Sequence, residues 1–355
     1  MEDRRSPVLI KHTVQRWDLD KTYLDTDTDS LRGLLRIPFQ RARDKRALPG
    51  VAALIKELKR TAAERGATTS VNFVTASPPQ IGRAIREKLA MDGIEVDEIR
   101  FKNQIHHLVR GQFDALREHV AFKLSELLQS VRAGRRDGHE LLFGDDWESD
   151  PLIYSLYADA IAGNLDWPRL EDLLARAGVQ ESGYFPLIRD ALAARGPRRV
   201  VRAICILRAR PRGPGEFEAF GRRLVWFDSY LEGALILHAL GDLDARGVVE
   251  VAFASDVDDE AVAAAFDAVS TRWPWIRREH LTVARRALLE SGLARNLLPG
   301  GLWLRAVTRW RVSRGKSPVR APKDAPPMPD YDALVQAWSH RARREKEVTP
   351  AHDPE

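Results

Sequence analysis

At 355 residues the chain is long enough for one large domain or two ordinary ones, each able to bury a core, and two is the expectation. Its single cysteine, Cys205, excludes an internal disulfide and any thiolate metal cluster; within the mostly apolar run 200–207 it reads as an inert core thiol that fits a reducing compartment. Lys and Arg number 56 against 51 Asp and Glu, a net charge of +5 that suits an anionic partner such as a phosphate ester, an acidic lipid surface or nucleic acid. The basic residues are spread along the whole chain, so nucleic acid is not expected as the partner.

Residues 1–12 carry charges and no apolar run. The longest uncharged apolar stretches, such as 235–240, fall far short of the roughly 20 residues that span a bilayer, so the expectation is a cytoplasmic protein without a transmembrane segment. Residues 14–18 read as extended and lead into Asp18-Leu19-Asp20-Lys21-Thr22. Alternate side chains of a strand share a face, so Asp18 and Asp20 can point into one pocket as the chain leaves the sheet. Two carboxylates so placed fit phosphoryl transfer: one attacks phosphorus, the second protonates the leaving oxygen and then activates water, and a divalent cation screens the charge. An acidic turn is the plain alternative.

An acidic loop follows at 25–29, then 31–39 with Arg32 and Arg36, then the basic run Arg41, Arg43, Lys45 and Arg46. That run is a solvated loop or a phosphate-facing segment above the aspartates. Helical spacing over 51–65 makes strand-then-helix, the opening of an α/β unit. The β-branched run 69–74 ends in Thr75-Ala76-Ser77-Pro78-Pro79, ahead of a helix over 81–91. A hydroxyl at a strand end beside the free N–H groups of a helix start is an anion site, and Thr75 is the expected hydroxyl, with Ser77 as an ordinary helix cap. A short strand at 98–102 and a helix over 117–131 bring two candidate phosphate lysines, Lys123 between Phe122 and Leu124, and Lys102 as its competitor. The apolar run 141–143 then breaks at Gly144 into Asp145-Asp146-Trp147-Glu148-Ser149-Asp150 before a helix over 152–162. Hard oxygen ligands in such a loop suit Mg²⁺, while Ser149 and Asp150 also read as helix caps.

With four such motifs in order, the chain resembles the haloacid dehalogenase superfamily and, more closely, the phosphatidate phosphatase catalytic domain family of the actin-patch type. Phe73-Val74-Thr75-Ala76-Ser77-Pro78 is similar to that family's aromatic-Val-Ser-x-Ser-Pro, and the stretch 144–154 to its Gly-Asp-Ser-Gly-x-x-Asp-Pro-x-x-Tyr; the likeness covers residues 10–165. It implies Asp18 as nucleophile, Asp20 as general acid and then base, Thr75 as the phosphate hydroxyl and Lys123 as the lysine that orients phosphate and nucleophile. Mg²⁺ would lie among Asp18, Asp20, Asp145 and Asp150, although Asp146 stands where the family has serine and leaves the second acidic ligand open. The implied substrate is a bulky phosphomonoester, phosphatidate first, met at an anionic membrane surface. A phosphate-binding scaffold without turnover, or a phosphatase acting on nucleotides, nucleic-acid ends or sugar phosphates, is the alternative.

The intervals 23–68 and 76–122 leave no room for a folded cap, since domains run to about 50 residues or more beyond the connecting elements. The expected fold is therefore α/β: a doubly wound parallel sheet without a folded cap over 10–165, then a mostly helical domain over 166–312. Helical periodicity carries that second domain at 170–177, 185–194, 200–209, 217–235, 262–269 and 281–293, with Ser255 or Asp256 capping one helix. Asp228, Glu232 and His238 read as a polar stripe on a packed helix. The tail 313–355 is expected to be disordered apart from a short helix at 331–343.

Overall fold

The computed structural model describes residues 12–26, 42–102, 112–132, 138–147, 149–179, 183–194, 200–210, 215–293 and 328–348. Segment 27–41, with Arg32, Arg36 and Arg41, lies outside the described residues, as do Glu148 and the tail apart from 328–348.

The scaffold is a six-stranded, all-parallel sheet in the order β3-β2-β1-β4-β5-β6. Its strands are β1 (His12–Trp17), β2 (Thr68–Thr75), β3 (Glu98–Phe101), β4 (Gly138–Asp145), β5 (Val200–Leu207) and β6 (Leu224–Phe227). Helices α1 (Val51–Glu64) and α2 (Gly82–Met91) connect β1 to β2 and β2 to β3 on one face. The chain then crosses to the other face through α3 (Gln112–Arg132) and enters β4 beside β1. From β4, α4 (Asp150–Ala162), α5 (Trp167–Arg176) and α6 (Tyr184–Ala193) stay on that face and lead to β5.

Period-two alternation divides the strands between two cores. Trp17, Phe73, Leu141, Phe143, Cys205 and Phe227 pack on the α1 side, whereas Val74, Leu142, Ile204, Ile206, Leu224 and Trp226 pack on the α3 side. A parallel sheet covered on both faces is the doubly wound arrangement, and its topological switch lies between β1 and β4, where ligands bind outside the carboxyl ends of the strands. Trp17 and Phe143, directly paired across those two strands, stack with ring centroids 3.7 Å apart and fix the register there.

The structure corrects the expectation of a helical region beginning at 166. Residues 200–207 are not a helix: β5 pairs with β4, β6 pairs with β5, and the sheet runs through what the sequence predicts as a separate helical unit. From Ala203 to Leu207 and from Leu224 to Phe227 both strands are buried on their two faces and read as unbroken apolar runs, and periodicity cannot tell such a run from a buried helix. The expected helix over 217–235 is likewise interrupted by β6 and is helical only at its two ends, whereas those over 170–177, 185–194, 262–269 and 281–293 form in large part. Beyond the short α7 (Gly215–Glu218) come α8 (Tyr230–Leu240), α9 (Ala245–Ala254), α10 (Asp259–Arg272) and α11 (Thr282–Glu290). The cap of α10 is Asp258, which accepts from the Ala261 N–H at 2.8 Å, and not Ser255 or Asp256.

The last helix, α12 (Tyr331–Val348), packs on the α3-side core through Tyr331, Leu334, Val335 and Trp338. Its Tyr331 hydroxyl donates to buried Asp159 at 2.5 Å. No described helix is long and apolar enough to cross a membrane.

Candidate functional site

The site forms where β1 and β4 end side by side. The Asp18 N–H donates to the Phe143 carbonyl at 2.9 Å, continuing the ladder by one residue and setting Asp18 next to the end of β4 at Asp145. Beyond Asp18 the chain coils into one tight turn in which the N–H groups of Tyr23 and Leu24 both reach the Leu19 carbonyl. Lys21 sits in that turn at φ 58°, a left-handed conformation that costs a non-glycine residue about 1–2 kcal/mol.

Gly144 lets α4 reach this point. A Cβ there would lie 2.8 Å from both the Asp150 Cβ and the Tyr154 Cε2, so any side chain would push the start of α4 off the strand. Asp150 is thereby held in the first turn of α4, where the helix dipole favours a carboxylate. Asp18, Asp145 and Asp150, all buried, each present an oxygen within 4.8 Å of the others and form a group able to hold a metal ion.

Lys123, buried on α3 between Phe122 and Leu124, bridges two of these acids. Its ammonium lies 2.7 Å from an Asp18 oxygen and 2.7 Å from an Asp150 oxygen. Three carboxylates thus gather around one ammonium, and such a donor set of hard oxygens suits a divalent cation such as Mg²⁺. Asp145 is oriented by the Thr22 hydroxyl at 3.1 Å and by the Trp147 N–H at 2.6 Å. Burial pushes the Tyr154 hydroxyl well above its ordinary pKa, and Asp150 adds to the rise; Tyr230 is raised in the same way by burial and then by Asp145 and Asp18. Both phenols stay protonated donors, Tyr154 to the Phe143 carbonyl and Tyr230 to that of Thr22.

Asp20 stands apart from this group. Its carboxylate accepts from the Ser77 hydroxyl at 2.7 Å and the Thr75 hydroxyl at 3.3 Å, while the Ser77 N–H donates to Thr75 Oγ1 at 3.0 Å. The paired aspartates of β1 therefore diverge: Asp18 faces β4 and Lys123, and Asp20 faces the end of β2. Among the described residues the three-acid group excludes the Asp20 carboxylate that the sequence expectation counted with the ligands.

Of the two candidate lysines, Lys123 meets Asp18. Lys102 is also buried, beside the end of β2, where its N–H donates to the Thr75 carbonyl at 3.2 Å. Burial pushes the pKa of His119, also on α3, well below the ordinary value, with Lys123 and Lys102 assisting and Asp150 opposing. Asp146 accepts the N–H groups of Ala209 at 2.6 Å and Arg210 at 3.1 Å, tying down the segment that follows β5.

Several site residues escape the sequence reading. Ser77 is an Asp20 partner and not a helix cap, and its only advance signal is a second hydroxyl two residues after Thr75. Lys45, from the basic run, is buried close to Asp20: burial lowers its pKa and the Asp20 carboxylate works against that shift. Ser149 stands at the start of α4 without capping it, since its hydroxyl accepts the Trp338 indole N–H of α12 at 2.9 Å. Trp147 carries two cations, the Lys21 ammonium 3.3 Å and the Arg210 guanidinium 4.0 Å from its ring centre.

Fold and site together define an α/β protein with an all-parallel sheet and an acidic, metal-competent centre at its topological switch. No protein-family model, curated protein or solved structure matches the chain.

Proposed function

We propose that this chain is a Mg²⁺-dependent phosphomonoester hydrolase of the haloacid dehalogenase superfamily, acting through an aspartyl-phosphate on Asp18. The observation that carries this reading is the convergence of Asp18, Asp145 and Asp150 around Lys123 at the carboxyl ends of neighbouring β1 and β4. Three sequence motifs that together span more than a hundred residues, at Asp18, Lys123 and Asp145 to Asp150, meet there.

In this mechanism an Asp18 oxygen attacks phosphorus and the bond to the leaving oxygen breaks, with Asp20 giving that oxygen its proton. Asp20 then takes a proton from water, which attacks the phosphorus of the acylphosphate, frees inorganic phosphate and restores Asp18. Lys123 holds the attacking carboxylate by its 2.7 Å contact and neutralises phosphate charge. Thr75 and Ser77 aim Asp20 through their hydroxyls. A Mg²⁺ ion held by Asp18, Asp145 and Asp150 would supply charge neutralisation for the transferring phosphoryl oxygens.

A bulky ester such as phosphatidate at an anionic surface is the substrate that the family resemblance favours. Exposed Arg43 and Arg46 flank Lys45 on the approach to Asp20 and supply the positive charge such a surface attracts. Phosphate release from phosphatidate vesicles, a sugar phosphate and a nucleotide, with and without Mg²⁺, tests the assignment. Mg²⁺-dependent release that Asp18→Asn abolishes is the expected result, and no release from any ester, or an active Asp18→Asn variant, would overturn it.

A further inference from the structure

The acidic centre has a basic and aromatic rim that the chemistry above does not use. Trp147 follows Asp145 by two residues and is locked to it by its own N–H at 2.6 Å. Its partly exposed ring carries the ammonium of Lys21 at 3.3 Å and the guanidinium of Arg210 at 4.0 Å. These cations come from different parts of the fold. Lys21 adjoins Asp20 in the left-handed turn after β1, and Arg210 arrives from the segment after β5. Asp146 fixes that segment by accepting the N–H groups of Ala209 and Arg210, which gives this acid, outside the three-acid group, a part in building the rim.

Position gives the rim its meaning. If Asp20 protonates the leaving oxygen, the leaving group lies on the Asp20 side of the transferring phosphorus, and Lys21 follows Asp20 directly in the chain. A guanidinium over an aromatic face is attracted by the ring, and its planar fork of N–H donors matches a phosphate or carboxylate. We propose that Lys21, Arg210 and Trp147 form a second anion subsite, and that the preferred substrates are phosphomonoesters whose leaving group itself bears another phosphate or carboxylate. The inference rests on the hydrolase reading for its placement of the leaving group, and on the geometry of the rim for its charge.

Fructose 1,6-bisphosphate and fructose 6-phosphate differ by one phosphate and serve as the probe pair, each followed by phosphate release and by calorimetric binding to the full-length protein with Mg²⁺. The bisphosphate should lead by about tenfold or more in kcat/KM and in affinity, the worth of one charge-assisted contact. In Arg210→Gln and in Lys21→Gln, with folding checked by circular dichroism, that ratio should fall to within about threefold of unity, while Arg210→Lys should keep part of it. A wild-type ratio near unity, or one that both glutamine variants leave unchanged, overturns the subsite. So does a pattern in which the fructose pair is equivalent while phosphatidylserine added to phosphatidate vesicles accelerates release through Arg210, since the second anion would then belong to the membrane. The calorimetric arm separates the two claims. A protein that hydrolyses neither ester yet binds the bisphosphate selectively through Arg210 refutes the hydrolase and keeps the anion subsite. One that hydrolyses both esters equally keeps the hydrolase and refutes the subsite.

Discussion

Two buried charge clusters lie two residues apart along β1, and they are built in opposite ways. At Arg16 the guanidinium meets both oxygens of Glu140 on β4, at 2.7 and 3.2 Å, and the Ser130 hydroxyl at 2.6 Å, while the Tyr157 hydroxyl completes Glu140 at 2.7 Å. One cation faces one anion, and neutral hydroxyls fill the remaining positions. At Asp18 three carboxylates converge, and two of them, Asp18 and Asp150, share the ammonium of Lys123. A single helix covers both clusters, for Lys123 and Ser130 are seven residues apart and so lie on one face of α3. The same sheet, helix and burial thus carry a paired charge tied to α3 through Ser130 and a three-acid group able to hold a metal ion. Burying charge costs several kcal/mol per ion unless it is compensated, so an acidic excess is kept only where something positive binds.

The largest effect that separates the clusters is catalytic. Asp18→Asn should lower kcat by about a thousandfold or more, as loss of a nucleophile does, with an unfolding midpoint equal to or above that of the parent because a repelling charge is gone. Phosphate release and thermal melting on the same preparation check both halves. Glu140→Gln should do the reverse. It strands a buried guanidinium, so stability should fall by about 3–5 kcal/mol in urea unfolding, and replacing Arg16 and Glu140 together by apolar residues should recover most of that loss. A Glu140→Gln protein as stable as the parent would show that the balanced pair is not structural.

Lys123 sharpens the comparison, since its ammonium pairs with two of the three acids. Lys123→Met should destabilise the metal-free protein and make the remaining stability strongly dependent on Mg²⁺. A ligand that binds the folded state alone adds about 2.7 kcal/mol at a hundred times its dissociation constant. Melting with and without Mg²⁺ measures this directly, and a variant indifferent to the ion would separate the lysine from the metal group.

The smallest expected effect lies away from both clusters. Burial lowers the pKa of His238 below its ordinary value, against the opposing pull of the Leu243 carbonyl bond and of Asp244. Above about pH 6.5 the ring is neutral folded or unfolded and pH has no purchase on it. As pH falls below that value the unfolded chain takes up a proton that the folded one resists, so stability declines by at most about 1.4 kcal/mol per pH unit. His238→Gln should flatten the urea midpoint between pH 7 and 5; an unchanged slope would assign the acid sensitivity elsewhere, with buried His119 acting in the same direction.

What could be read in advance follows the same division. The ends of β1, β2 and β4 were legible because each strand breaks sharply into polar residues, at Asp18, at Thr75-Ala76-Ser77 and at Gly144-Asp145. Their convergence followed from parallel order alone. β5 and β6 were hidden because Ile204, Ile206, Val225 and Phe227 are apolar on both faces and leave no alternation to detect, although the β-branched run from Val200 was a signal. Spacing says nothing about pairs such as Arg16 with Glu140 or Trp147 with Arg210, which depend on register across the sheet and on where a loop lands. The divergence of Asp20 towards Ser77 was equally invisible, since it arises in the tight turn after the strand and not in the strand itself.

The central claim is that the three-acid group is a divalent cation site, and calorimetric titration of Mg²⁺ into the purified protein tests it most directly. The account predicts saturable binding that survives in Asp20→Asn, whose carboxylate lies outside the group, and is lost in Asp145→Asn. Absence of Mg²⁺ binding to the parent protein, or undiminished binding in Asp145→Asn, would contradict it.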